Sequence, residues 1–376
     1  MEYDCVIARY GEIALKGGNR SLFERRLGRN IKEILDACGI EAAVKRISGR
    51  FIVETKDSKA AEAVARVFGV TSASPALKVK TSLDGMKDAA LRLFSEAKPS
   101  TFRISANRLE KGFEKTSMEA NSIIGKYIQD ETGCRVSLKS PELDIGVEIA
   151  NKNTYVYAQR IEGFGGLPVG VSGNVVCLFS GGIDSPVAAW LALKRGCEAT
   201  LLHFLHEEHN RRPDKINGLK ERLRAYSPGI RLVYVPTGDI EREIVMKVPS
   251  RLRIVVLRRM FMRMAAMLCG TFKAKAVVTG DNIGQVASQT LDNLNVIDEA
   301  CGMLVLRPLA GYDKREIVKL AEEIGTYGDS IREYSDCCSF LLPKHPETKA
   351  SLEEVRRAEE CFGWTLLDKA VGRAYE

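Results

Sequence analysis

Although the chain carries ten cysteines, no two of them stand in C-x-x-C spacing. That absence argues against a zinc ribbon and against a thioredoxin-like redox pair. No apolar run reaches about 18 residues, the length a membrane-spanning helix needs, so no span is expected. The opening Met1-Glu2-Tyr3-Asp4 has neither the basic start nor the apolar stretch of a signal peptide. These absences lead to the expectation of a cytoplasmic protein, away from membranes, with reduced thiols. There is no internal repeat and no low-complexity tract, which argues against repeat arrays and disordered segments.

What is present is 376 residues, 45% apolar and 28% charged, enough for two or three domains with cores of their own. The net charge is +7, and 27 basic against 22 acidic residues fall in the first 170 positions. The basic surplus therefore leans toward the N-terminal part, which suits a polyanion without establishing one. Cys5 and Cys177 lie in apolar strand-like runs and Cys269 ends a helix-like run. Buried small hydrophobes account for these three.

Residues 3–9 read as a strand, followed by a glycine-rich loop, Leu15 to Arg20. Asn19 or Ser21 can cap the next helix, which shows Leu22, Leu27, Ile31, Ile34 and Leu35 as an apolar stripe. Arg20, Arg25, Arg26, Arg29 and Lys32 are its basic positions. Strands over 43–55, turning at Gly49, and a helix over 58–68 complete a ferredoxin-like half. From 70 to 165, helices at 84–97 and 117–131 alternate with strands at 101–107, 135–139, 143–149 and 154–161. The turn-rich Gly163 to Pro168 marks a domain boundary. Beyond 174, apolar strands at Val175–Phe179, Ala199–Phe204, Arg231–Val235 and Ala276–Thr279 alternate with helices. That pattern predicts an α/β fold with a doubly wound parallel sheet.

The most informative stretch is Ser180-Gly181-Gly182-Ile183-Asp184-Ser185-Pro186, between an apolar strand and a helix. Two glycines free backbone N–H groups to face a ligand, and the helix start adds positive potential. No Gly-Lys-Ser/Thr follows, so this is not a Walker A loop, and it is not G-x-G-x-x-G. An acidic residue inside a phosphate loop repels phosphate unless a cation sits between, so Asp184 implies Mg²⁺. The alternative is a plain glycine turn between strand and helix. Six matched positions in the right context weigh against it.

The motif is similar to the S-G-G-x-D-S pyrophosphatase loop of enzymes that split ATP between its α and β phosphates. The whole chain resembles the tRNA 4-thiouridine synthetase family, which is also linked to thiamine thiazole biosynthesis. The resemblance rests on Tyr10 to Gly17, Gly166-Leu167-Pro168-Val169-Gly170, Leu178 to Pro186, His203-Phe204, Thr279-Gly280, Gly284 to Thr290 and Leu306-Arg307-Pro308-Leu309. It implies a ferredoxin-like N-terminal domain over 1–60, a THUMP RNA-binding domain over 61–165 and a pyrophosphatase-loop catalytic domain over 170–376. It further implies that THUMP holds the acceptor end of tRNA. By motif match, Leu178, Phe179, Ser180, Gly181, Gly182, Asp184, Ser185, His203, Phe204, Arg258, Gly280 and Gln289 are the ATP contacts. A half-buried, internally satisfied histidine is the competing reading of His203.

Two departures from the family stand out. The chain stops at Glu376, so the C-terminal rhodanese-like domain of some relatives is expected to be missing, with its sulfur-carrying cysteine. Ile254 to Arg259 holds no cysteine where some archaeal relatives have C-x-x-C, which puts an iron–sulfur cluster of that type in doubt. The sulfur carriers expected instead are Cys337 and Cys338, in a stretch similar to the D-C-C…P-K-x-P of relatives without the rhodanese domain. Lys344 or His345 could favour a thiolate there.

The function expected from the resemblance is ATP-dependent adenylation of uridine 8 of tRNA and its conversion to 4-thiouridine. The sulfur comes from a cysteine desulfurase as a persulfide. A thiamine sulfur-carrier protein and a second copy of this chain are left open as further partners. Two other readings stand beside it: another pyrophosphatase-loop synthetase or amidotransferase, and a non-catalytic tRNA-binding protein. A glutamine-using enzyme often starts its glutaminase with cysteine, whereas this chain opens Met1-Glu2 and places Cys5 within a strand. The intact loop weighs against the non-catalytic reading. The missing Asn/Asp-Pro-Pro-Tyr motif weighs against a THUMP methyltransferase.

Overall fold

The computed structural model describes residues 2–206, 214–333, 341, 343 and 345–376. Cys337, Cys338 and Lys344 lie outside the described residues. The chain divides into two compact units, Met1–Pro168 and Val169–Glu376.

The first unit contains β1 (Cys5–Tyr10), α1 (Arg20–Ala37), β2 (Ala43–Ile47), β3 (Arg50–Glu54), α2 (Ala60–Ala65), β4 (Val70–Lys80) and α3 (Leu83–Ala97). It continues with β5 (Thr101–Arg108), α4 (Ser117–Thr132), β6 (Arg135–Val136), β7 (Leu143–Ile149), β8 (Asn153–Tyr157) and β9 (Ile161–Glu162). All its strands join one nine-stranded sheet, ordered β2-β3-β1-β4-β8-β7-β5-β6, with β9 also on β4. The eleven-residue β4 belongs to both halves: Val70 to Ala76 pairs with β1, and Leu77 to Lys80 pairs with β8. Pro75 has no ladder N–H to give. It falls between the β9 pairing at Ser72 and Ala73 and the β8 pairing that starts at Leu77, where one side of β4 has no partner strand.

Helix α1 buries Leu27, Ile31, Ile34 and Leu35 as its stripe predicts, but Leu22 is 51% exposed. Asn19 occupies the cap position without a side-chain bond to the helix. The strand expected over 135–139 is only Arg135–Val136, and both residues are exposed. A fully buried arginine links the two halves: Arg9 on β1 donates to Glu148 on β7 at 2.6 Å, and Arg50 on β3 donates to the other oxygen at 3.0 Å.

The second unit contains β10 (Asn174–Leu178), α5 (Asp184–Lys194), β11 (Glu198–Leu205), α6 (Asp214–Arg224), β12 (Arg231–Pro236), α7 (Gly238–Lys247), α8 (Arg253–Phe272) and β13 (Ala274–Val278). Then come α9 (Leu291–Glu299), β14 (Leu304–Leu306), α10 (Lys314–Glu323), α11 (Tyr327–Ser330), α12 (Leu352–Glu359) and α13 (Thr365–Gly372). Its five strands are parallel, in the order β12-β11-β10-β13-β14. After β10 the chain builds outward through β11 and β12, then returns to place β13 on the other side. The reversal opens a crevice beyond the carboxyl ends of β10 and β13, where ligands bind in such sheets.

Helix α8 is apolar on most of its circumference, with Val255, Val256, Leu257, Met260, Met264 and Ala265 all buried. Within this core Arg259 is 0% exposed. It donates to Glu359 on α12 at 2.7 Å, to Glu299 on α9 at 2.8 Å and to the Val296 carbonyl. Burial pushes the Glu359 carboxyl up, but Arg263 and Arg259 more than offset this and hold it below the usual range. Removing one partner would leave a buried charge without compensation. Glu359→Gln is therefore expected to lower stability by about 3 kcal/mol. Chemical denaturation checks this, and a change under about 0.5 kcal/mol would refute it.

Candidate active site

The site is assembled at the ends of three strands. β10 delivers Leu178, Phe179 and Ser180; β11 delivers His203 and Phe204; β13 leads into Thr279, Gly280 and Asp281. Asp184 and Ser185 come from the first turn of α5, Arg258 and Phe261 from α8, and Gln289 from the loop before α9. Together they line one concave pocket with aromatic, polar and charged side chains converging on it. Every ATP contact expected from the motifs lines this pocket except Gly181 and Gly182. Phe261, Thr279 and Asp281 were not expected there.

The loop is tightly organised. Gly181 has φ +83°, a conformation that only glycine adopts without strain. Ser180 N–H donates to Ser185 Oγ at 3.1 Å, and Gly182 N–H donates to Ser180 Oγ at 3.4 Å. Pro186 is the third residue of α5, where its missing N–H costs nothing. Gly280 is needed for a different reason. A Cβ there would lie 3.0 Å from Ser185 N and 3.1 Å from Asp184 C, so only glycine lets the end of β13 pass this close to the start of α5.

One wall is apolar: Phe204 and Phe261 stack at 3.9 Å between centroids and 6° between planes. His203 is 0% exposed, deeper than the half-buried reading allows. Its Nδ1 donates to the Phe179 carbonyl at 2.7 Å, because a carbonyl can only accept. Burial lowers its pKa to about 4, with the Phe179 bond acting weakly in the other direction. The ring is neutral at physiological pH, and its Nε2 is the acceptor.

Another part of the lining is charged. Arg258 donates to Asp281 Oδ1, to the Ser288 carbonyl and to Ser288 Oγ, the last two at 3.2 Å. Burial pushes the Asp281 carboxyl up, but Arg258, Thr279 and Arg307 outweigh it and hold it low. Arg307 Nε lies 3.4 Å from Asp281 Oδ2, and its other nitrogens grip Asp298 at 2.5 and 2.7 Å.

Asp184 has a compensating cation within the chain. Lys314, at the start of α10, reaches Asp184 Oδ1 at 2.5 Å, and Gln285 donates to Oδ2 at 3.0 Å. By sequence the loop has no Walker lysine, and Asp184 implies Mg²⁺. The fold brings an ammonium to the loop from 130 positions away. Among the described residues, no group of three or more His, Cys, Asp and Glu is placed to hold a metal. A single carboxylate suffices for Mg²⁺ that arrives with phosphates. Asp184 is the pocket carboxylate that would hold it, since Asp281 is committed to two guanidinium groups.

The cysteines of the described residues divide clearly. Cys5, Cys177, Cys197, Cys269 and Cys301 are buried, Cys134 is half-buried, and Cys38 and Cys361 are exposed. Burial pushes the Cys5 thiol up to about 12 and that of Cys269 to about 11.

This geometry can be set beside known proteins. The model of the thiamine biosynthesis protein (ThiI) family matches residues 170–363, the ThiI ferredoxin-like domain matches 5–74, and the THUMP domain matches 80–159. The chain belongs to the ThiI family. A ThiI-family relative, a probable tRNA sulfurtransferase of Moorella thermoacetica, is 41% identical over 95% of this chain and 93% of its own length. Another protein of that name, from Natranaerobius thermophilus, is 39% identical over 94% of this chain and 91% of its own. Among solved structures, a 4-thiouridine synthetase–RNA complex with bound ATP aligns with a TM-score of 0.90 and 34% identity, covering 100% of this chain and 99% of that one. PH1313 from Pyrococcus horikoshii aligns at a TM-score of 0.71 and 29% identity, over 86% and 99%. The THUMP and ferredoxin-like matches meet within β4 and agree with the fold of the first unit.

Proposed function

We propose that this ThiI-family chain is an ATP-dependent tRNA sulfurtransferase that adenylates uridine 8 and converts it to 4-thiouridine. The observation that carries the reading is the Ser180–Ser185 loop at the strand-order reversal. The Phe204–Phe261 pair and Arg258 line the same pocket. Helix α5 offers unpaired N–H groups at the phosphate end. Phe204 and Phe261 offer an apolar face for a base, and Arg258, Gly280 and Gln289 complete the ATP contacts. Mg²⁺ would neutralise phosphate charge beside Asp184, and Lys314 is placed to share that work. The bound ATP of the synthetase–RNA structure supports the same assignment.

A carbonyl oxygen is a poor leaving group until it is phosphorylated. The uridine 4-oxygen attacks the α-phosphate, and pyrophosphate departs. The terminal sulfur of a cysteine persulfide then attacks C4, and AMP departs. A second thiol cleaves the remaining S–S bond, releasing 4-thiouridine and leaving a disulfide. Cys337 and Cys338 are the proposed carriers, charged by a cysteine desulfurase. The chain that follows them is anchored beside the pocket: Thr290 Oγ1 donates to the Thr348 carbonyl at 2.7 Å, next to Gln289. We place the enzyme in the cytoplasm; among the described residues no helix is long and apolar enough to cross a membrane. A thiamine role, through a sulfur-carrier protein, is a second use of the same persulfide.

The direct test is ATP-dependent formation of 4-thiouridine in unmodified tRNA, with a desulfurase and cysteine, read by mass spectrometry of the nucleosides. No product, with ATP binding intact, would overturn the assignment. A fragment ending at Pro168, with cores of its own, is expected to bind tRNA with an affinity that falls at least tenfold between 50 and 200 mM salt. Equal tRNA affinity for residues 169–376 would contradict this division of labour.

A further inference from the structure

Gln289 is 9% exposed, lines the pocket and uses only one end of its amide. Its Nε2 donates to Asp281 Oδ1 at 3.3 Å. Its Oε1 is buried and meets no hydrogen-bond partner among the described residues. A buried acceptor left unpaired is costly, and in a ligand pocket it points to a donor on the ligand.

Asp281 explains why the oxygen is the free end. It is 5% exposed. It lies among Arg258, Arg307, Thr279 and Gln289, and each turns a donor toward it. An ionised carboxylate can only accept. Reversing the Gln289 amide would set its oxygen against a carboxylate oxygen, so the nitrogen is held toward Asp281 and the oxygen away from it. The same carboxylate holds Arg258, so one side chain sets both the donor and the acceptor of this wall.

We propose that Asp281 is a positioning residue that turns the Gln289 oxygen toward a hydrogen-bond donor of the bound nucleotide, either the 6-amino group of adenine or a ribose hydroxyl. This rests on the reading of the pocket as the ATP site. It makes discrimination among nucleotides depend on a residue that need not touch the discriminating group.

The test measures dissociation constants of the full chain for ATP, purine riboside triphosphate, 2′-deoxy-ATP and 3′-deoxy-ATP. In the unaltered protein, the analogue lacking the relevant donor binds about tenfold worse than ATP. The analogue affected tells amino group from hydroxyl. In Gln289→Met that penalty disappears. In Asp281→Asn it shrinks to about twofold or less, because a carboxamide can donate as well as accept and lets the glutamine turn. A purely structural role would weaken ATP and analogues in equal ratio, leaving the penalty at about tenfold, and would overturn the proposal. So would an unaltered protein that binds all four nucleotides equally. Gln289→Glu gives a reading with Asp281 intact. It keeps the acceptor but cannot donate to Asp281, so it binds ATP more weakly than Gln289→Met; affinity equal to the unaltered protein overturns the proposal. If the unaltered protein binds no ATP, the ATP-site reading fails instead.

Discussion

Asp184→Asn is expected to lower ATP-dependent pyrophosphate release by about 10²–10³-fold while tRNA affinity stays within about twofold. Asp184 stands in the first turn of the helix proposed to receive the phosphates and is held by Lys314 at 2.5 Å and Gln285 at 3.0 Å. The substitution keeps the side-chain volume but removes the charge. It leaves Lys314 without its partner and Mg²⁺ without its protein ligand, so the loop loses the arrangement that balances phosphate charge. Lys314→Met is expected to fail in the same assay, because it leaves the carboxylate facing phosphate with no cation of the protein beside it. tRNA binding is assigned to the first unit and so provides the internal control. Pyrophosphate release at the normal rate in Asp184→Asn would remove Asp184 from the mechanism.

Changing Cys337 and Cys338 to serine is expected to abolish 4-thiouridine formation and leave pyrophosphate release intact. Burial narrows the field of sulfur carriers. Five described cysteines are buried, and burial raises their thiols away from the thiolate form that sulfur transfer needs. Cys301 is 4% exposed, so it is a poor partner for a disulfide. Cys361 is exposed and lies in the same unit as the pocket, which makes it the better described candidate for the resolving thiol. Single substitutions separate the roles, with Cys338→Ser expected to be the more severe. Thiouridine made at the normal rate by the double variant, with a persulfide-donating desulfurase, would place the sulfur route elsewhere.

Much of the catalytic unit was legible because its information is local. The Ser180–Ser185 loop, its strand and its helix are contiguous, and strands buried on both faces read as unbroken apolar runs. His203-Phe204 could be placed through the motif match, and its position at a strand end agrees with where ligands lie in open sheets. The charged wall was not legible. Asp281 with Arg307 and Lys314 with Asp184 are tertiary pairs that no periodicity announces. Arg258 and Arg259 are adjacent in sequence, yet the helical turn sends one to the pocket and the other into the core. Leu22 shows the converse: it belongs to the apolar run of α1, yet nine residues before Ile31 is about two and a half turns, which sets it on the face opposite the core. The shared strand β4 was hidden for a similar reason, since pairing on both sides leaves its residues looking like one ordinary strand.

That shared strand has a consequence for anyone who wishes to separate the ferredoxin-like and THUMP parts. A cut before β4 deprives the first of its partner for β1, and a cut after it strips β8 of Leu77 to Lys80. Either fragment would expose a raw sheet edge, an invitation to aggregation. The two parts are therefore expected to unfold as a single piece. Amide protons along the middle of β4 should exchange with solvent only when the entire first unit opens.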